Sequence, residues 1–421
     1  MNEWLLQYIW QFQYLNGKEL QVSSGESLQI IHQGHWNEHQ GPDFLQATIK
    51  IGETKWIGSI ELHVLTSDWF RHAHQFDKNY KNVILHVVWK HDMDGEQSTT
   101  PVLALEDKVP KMLLSQYEDW MNNRFFIPCR QQIQTINDIT WIAWKQRLVV
   151  ERLQRKGIII QEYLGQCNHH WEEVFWWLLA RNFGIKVNAD AFEAIARSLP
   201  VKVLVRHKNQ VIQLEALLLG QAGLLEPTFE EQYPVMLQKE YKFYRNKYKL
   251  SPICQPIHFL RMRPENFPTI RLAQLAMLVH ESSHLFSRIL EMQAINEIKK
   301  LLNVTANDYW HYHYRPDEPS AYKPKKPGGQ MVNNIIINTI VPIVFAFGNF
   351  YQKNIYMEKS IRWLEEIAAE NNNITRQFAD AGISGNSAFD SQAVLELKSS
   401  YCDQRRCLDC TVGNALLRLR D

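Results

Sequence analysis

The sequence predicts an α+β protein: a small mixed β-sheet with flanking helices in residues 1–100, followed by a larger, mostly helical region over 101–421. Three observations carry this. Period-two alternation and one β-branched run cluster between residues 20 and 89. Apolar positions at helical spacing dominate from residue 111 onward. A chain of 421 residues also exceeds what one ordinary core organises.

Residues 3–15 carry apolar positions at helical spacing and form the first helix. Leu20–His32 gives one or two strands around the Ser24-Gly25 turn, and a polar loop spans Gln33–Gly41. Phe44–Ile51 (FLQATIKI) alternates as a strand, Gly52-Glu53-Thr54 turns, and Lys55–Leu65 returns. Thr66-Ser67-Asp68 is an N-cap sequence and opens a helix from Ser67 to about Tyr80. Val83–Trp89 (VILHVVW) is continuously apolar, as in a strand buried on both faces. Strand, helix, strand implies a right-handed crossover between parallel strands. His91–Thr100 is polar and turn-rich and marks the boundary.

Beyond it, helices are predicted over Lys111–Arg124, Thr140–Tyr163, Trp171–Phe183, Asp190–Leu199, Ala216–Leu224, Gln232–Lys247, Thr269–Leu290 and Met357–Glu370. Proline-rich loops interrupt them at Ser251–Pro268 and Arg315–Pro327, and a subdivision near residue 250 is open.

Composition is that of a globular protein, with 45% hydrophobic and 22% charged residues. The net charge of +1 means that any nucleic-acid contact must rest on a local basic patch. No apolar run reaches membrane-spanning length, so no membrane partner is expected. The start, MNEWLLQYIWQFQYL, has no basic leader, and six cysteines make no disulfide scaffold. A reducing cytoplasm is the expected setting.

The chemistry concentrates between Gly41 and His86. Asp43 heads one strand, and Glu61 and His63, two apart on the next, point to one side of the sheet. Two carboxylates held close repel unless a cation sits between them, and a hard divalent ion would polarise a phosphate oxygen and acidify a bound water. Glu3, Asn37, Glu38, His72 and His74 are candidate assisting groups. On a regular helix His72 and His74 cannot share a face. His86, in the apolar run, fits a hydrogen-bonded core histidine. The plain alternative is a solvated strand face with a Pro-Asp turn.

The order helix, three strands, helix, strand, with Pro42-Asp43 and then Glu61-Leu62-His63, resembles the PD-(D/E)XK nuclease superfamily and its restriction-endonuclease-like fold. The resemblance implies Asp43 and Glu61 as ligands of Mg²⁺ or Mn²⁺, Asp43, Glu61 and His63 as the catalytic group, and phosphodiester hydrolysis on nucleic acid. His63 stands where that superfamily carries lysine, so a degenerate, non-catalytic nucleic-acid-binding or scaffold protein is the alternative. Across nearly the whole chain, GPDF, IELHV, SDW, GIKVNADAFEAIA, QLEALLLGQAGLL, RMRPENFPTIRLAQLA and the cysteine-rich end are similar to an uncharacterised family of Bacteroidota proteins, domain of unknown function 2851. That similarity implies a bacterial cytoplasmic protein and supplies no activity.

Three further features bear on function. Cys402-x4-Cys407-x2-Cys410 needs a fourth ligand to complete a zinc site or an iron–sulfur cluster, and Cys129 is the first choice, ahead of Cys254 and Cys167. Three reduced cysteines at a helix end are the alternative. His280-Glu281-Ser282-Ser283-His284 matches the H-E-x-x-H zinc-peptidase pattern, but Leu285–Leu290 offers no third ligand. Arg261, Arg263 and Arg271 flank a helix start suited to phosphate. His311–Arg315 with Lys323, Lys325 and Lys326 forms a basic–aromatic stretch suited to a single strand. Both equally suit local structural roles.

Overall fold

The computed structural model describes residues 1–93, 100–282 and 284–418. The chain is α+β, with an N-terminal mixed sheet and a mostly helical remainder. It divides into two units: Met1–Trp141 with Lys398–Asp421, and Ile142–Leu397. The division falls later than the expected boundary at residue 100. The difference arises because strand Val102–Ala104 joins the sheet and the C-terminal segment belongs to the N-terminal unit.

In that unit, α1 (Glu3–Gln11) is capped by Asn2, whose side chain accepts from the Leu5 amide at 2.8 Å. The sheet runs β1 (Leu28–His32), β2 (Phe44–Ile51), β3 (Thr54–Leu65), β4 (Val83–Lys90) and β5 (Val102–Ala104) in spatial order. β1, β2 and β3 are antiparallel neighbours, whereas β3 pairs with β4, and β4 with β5, in parallel. A two-residue strand, His35–Trp36, pairs with the start of β2. α2 (Asp68–Arg71) lies between β3 and β4, and α3 (Lys111–Asn122) follows the sheet.

Two local features set the site. β2 does not alternate cleanly: Phe44 pairs with Ile60 but Ala47 with Gly58, and Gln46 takes a left-handed φ of 59°. This bulge lets Phe44, Ala47, Ile49 and Ile51 all be buried, and it bends the strand just after Asp43. β3 is buried continuously from Gly58 to His63, as expected of a strand covered on both faces. At Gly58 a Cβ would meet Ile84 Cγ2 at 2.5 Å and the Asn82 carbonyl at 2.6 Å, so the start of β4 depends on glycine.

The expected helix from Ser67 to Tyr80 is one turn only. Ser67 bonds Asp92 instead of capping the helix, and Ala73 takes a left-handed φ of 56° that ends it. Single turns of 3₁₀ follow at His74–Phe76 and Lys78–Tyr80. The turn-rich stretch expected over 91–100 lies partly outside the described residues.

In the second unit, Trp171–Phe183 and Ile185–Ser198 pack together, and Val211–Gln221 packs on Gln232–Tyr248 and Pro268–Glu281. The helical run over residues 329–350 is missing from the sequence-based expectation, as are shorter helices such as Val201–His207, Ile295–Leu302 and Ala388–Glu396. The 329–350 run is 22 residues long with mean hydropathy 1.7, long and apolar enough to cross a membrane, and 72% of its most apolar stretch is buried in the protein. A π-turn at Ile336–Ile340 precedes Pro342 and accommodates the missing N–H.

Gly58→Ala is expected to cost about 1–3 kcal/mol by overpacking the β3–β4 junction. A lower urea midpoint beside an unchanged Gly17→Ala control, where a Cβ meets nothing within 4 Å, would bear this out.

Candidate metal centre on the sheet

Asp43 and Glu61 come together. The Asp43 amide donates to Glu61 Oε2 at 3.1 Å. Asp43 Oδ2 accepts from the Leu62 amide at 2.9 Å, and Asp43 Oδ1 accepts from Gln7 of α1 at 2.7 Å. The loop that delivers Asp43 is tied back on itself by Asn37, whose side chain donates to the Pro42 carbonyl at 2.9 Å and whose amide donates to the Asp43 carbonyl at 2.8 Å. Asn37 is therefore a positioning residue. Glu38 is exposed on that loop, and no contact brings it to the centre. Glu3, in the first turn of α1, adds its negative charge to both carboxylates.

The other Glu61 oxygen, Oε1, lies 3.5 Å from His63 Nε2 and 3.5 Å from His74 Nε2. His63 Nε2 is 3.1 Å from His72 Nδ1. Ring nitrogens of His63, His72 and His74 all fall within 4.8 Å of one another. The rule that His72 and His74 cannot point the same way holds only on a regular helix. With the helix ended at Ala73, both rings reach His63. Behind them, His63 Nδ1 pairs with His86 Nε2 at 2.8 Å. Trp69 sets its edge against His74 and contacts His86, and Tyr80 stacks on His74 at 3.8 Å between ring centroids.

The electrostatics are those of a site short of positive charge. Burial pushes the Asp43 carboxyl up to about 6 despite the Leu62 hydrogen bond. Burial, reinforced by the Asp43 charge, pushes Glu61 up to about 9. Burial among other imidazoles holds His63 down at about 2 and His86 at about 3. His63 is thus neutral and supplies no fixed charge where the nuclease pattern carries lysine. His74 Nε2 is buried with no hydrogen-bond partner.

A cation fits these donors. An ion bound tetrahedrally at about 2.0–2.1 Å sets its ligands about 3.3 Å apart, close to the 3.5 Å that separates Glu61 Oε1 from His63 Nε2 and from His74 Nε2. In the tautomer that carries the His63 proton on Nδ1, toward His86, the Nε2 lone pair faces the centre, as metal-bound imidazoles are usually held.

The H-E-x-x-H motif and the basic stretches are not assembled for the chemistry first expected. Helix Pro268–Glu281 ends at Ser282, which is extended, and His284 is left-handed, so His280 and His284 are not on one helical face. His280 Nδ1 instead pairs with the Lys208 carbonyl at 2.5 Å. Ser283 of the motif lies outside the described residues. Arg271 is not a phosphate ligand: it is 4% exposed and donates to Gln274 and Asn266. Arg261 and Arg263 are exposed. The basic–aromatic stretch is divided: His313 is bonded to Glu231, Arg315 lies over Phe259 and Phe267, and Lys325 is buried over Tyr314, whereas Tyr312, Lys323 and Lys326 are exposed.

A carboxyl whose folded pKa exceeds its unfolded value binds its proton more tightly when folded. Its contribution is complete below the unfolded value and is lost as pH rises toward the folded one. Between about pH 7 and about pH 9 the histidines are neutral in both states and add little slope. The metal-free chain should therefore lose thermal stability across that window as Glu61 ionises. Glu61→Gln should flatten the slope, and an unchanged slope would contradict this assignment.

The comparisons with known proteins bear on family alone. No curated protein and no solved structure matches the chain. The family model described as protein of unknown function, DUF2851, matches residues 3–373. The chain belongs to that family.

Proposed function

We propose that the protein is a metal-dependent hydrolase of phosphodiester bonds, a nuclease, with its centre at Asp43, Glu61, His63, His72 and His74. The observation that carries this is the meeting of the buried Glu61 carboxylate and the half-buried Asp43 carboxylate with three imidazoles, each carboxyl raised in pKa by its surroundings. The sheet supports the same reading. Three antiparallel strands, a short helix and a strand parallel to the third reproduce the element order that the PD-(D/E)XK resemblance implies.

Bound here, a divalent cation would supply Lewis acidity toward a phosphate oxygen and an acidified water. Glu61 and Asp43 would hold it from the sheet, and His63 and His74 would complete the donor set. The imidazoles shift the favoured ion from magnesium toward manganese or zinc. His72, exposed at the rim, would accept a proton directly from an entering water. Gln7 and Asn37 keep Asp43 in place.

A neutral His63 instead of a cation favours one other reading, a nucleic-acid-binding protein whose sheet holds a metal without cleaving. The two separate in an assay of the purified chain on single- and double-stranded DNA and RNA with Mg²⁺, Mn²⁺ or Zn²⁺. Cleavage is expected with manganese or zinc and should fall to background in an Asp43→Ala/Glu61→Ala variant. Metal binding without cleavage of any substrate would move the assignment to the non-catalytic reading. Cleavage retained by the variant would remove the site from the chemistry.

A further inference from the structure

The C-terminal segment from Lys398 belongs to the N-terminal unit, although the intervening chain, Ile142–Leu397, forms the other unit. Tyr401 and the helix residues Val412, Leu416 and Leu417 supply its apolar anchor. Between Tyr401 and Val412 the buried side chains are Cys407, Leu408 and Cys410, and the rest of the segment, Cys402-Asp403-Gln404-Arg405-Arg406 included, is polar and irregular apart from a π-turn ending at Cys402.

The segment is seated beside Cys129. The Arg405 guanidinium donates to the Trp120 carbonyl at 2.6 Å and to the Asn123 carbonyl. The Asn123 side chain in turn donates to the carbonyl of Pro128, next to Cys129. Helix Thr411–Arg418 begins directly after Cys410, and it approaches so closely that a Cβ on Gly413 would lie 2.1 Å from the Cys407 carbonyl. These contacts bring the stretch that carries Cys402, Cys407 and Cys410 against the segment that carries Cys129. Cys407 and Cys410 act electrostatically on both Cys129 and Cys402, Cys129 acts on Cys402, and none of the four is in a disulfide.

Two cations face the group: Arg405 acts on Cys407 and Lys398 on Cys402. Both would offset the charge of bound thiolates. A cavity of about 620 Å³ lined by Trp120, Asn123, Pro128 and Cys129 gives an approach from outside.

We propose that Cys129, Cys402, Cys407 and Cys410 hold an iron–sulfur cluster that fastens the C-terminal segment onto the N-terminal unit. Four sulfurs from two remote stretches of chain form a complete thiolate set for such a cluster. Spacing favours it over zinc. Four thiolates on one zinc stand about 3.8 Å apart at Zn–S bonds of about 2.3 Å. Among the described residues, however, the histidine trio on the sheet is the one group of three or more ligand atoms drawn within 4.8 Å. The wider spread of the thiols leaves room for several iron atoms and their bridging sulfides.

The test is composition of the full chain purified without oxygen. Iron and acid-labile sulfide are expected in comparable amounts, with a visible absorption that bleaches on reduction by dithionite. Both should vanish in Cys407→Ser and persist in Cys254→Ser, whose cysteine lies in the other unit. They should also persist in Asp43→Ala/Glu61→Ala, which separates cluster iron from any ion on the sheet. Limited proteolysis should release the C-terminal segment sooner from Cys407→Ser than from wild type. Zinc without sulfide, absence of bound metal, or iron and sulfide retained by Cys407→Ser would each overturn the proposal. If Cys407→Ser does not fold, the wild-type composition decides alone.

Discussion

The N-terminal unit is organised around two neighbouring carboxylates, Glu61 buried and Asp43 half-buried. An isolated buried carboxylate is costly, and a second one beside it raises the cost further. The fold nonetheless directs hydrogen bonds at both. The Leu62 amide and Gln7 converge on Asp43, and the Asp43 amide itself serves Glu61. The bulge at Gln46, the close β3–β4 approach at Gly58 and the left-handed turn at Ala73 each bring backbone or side chains toward this pair. A purely structural polar pair would more economically be one acid and one base. A pair of acids walled by neutral imidazoles has the charge balance of a cation site.

The sheet was legible in the sequence because strands covered on one or both faces write period-two or continuous apolar patterns, as in FLQATIKI and VILHVVW. Asp43, Glu61 and His63 were legible for the same reason, since strand geometry fixes which side chains share a side. His72 and His74 were legible only as neighbours. Their convergence depends on Ala73 adopting a positive φ, which alanine rarely does and which no local pattern announces. His86 has the buried, bonded character expected of a core histidine, and its partner is His63.

The second unit shows where pattern misleads. LAQLAMLVHESSHLFSRIL keeps helical periodicity across Ser282, yet the chain is extended there and splits into two helices. Arg271 sits in an exposed-looking arginine loop but turns inward to Asn266 and Gln274. The run at 329–350 contains Pro342, Asn338 and Thr339 inside an apolar stretch, which obscures its helical continuity. At the C-terminus the spacing of three cysteines marks a candidate ligand set, whereas the place of that segment in the N-terminal unit is a property of topology that spacing cannot show.

The most direct test of the central claim is anomalous scattering from a crystal of the chain soaked in manganese or zinc. A peak within bonding distance of Glu61, His63 and His74, absent from a Glu61→Ala crystal, is the predicted result. A crystal with no ion among these residues, their side chains arranged as described here, would show that the carboxylate pair is a structural feature and contradict the metal centre.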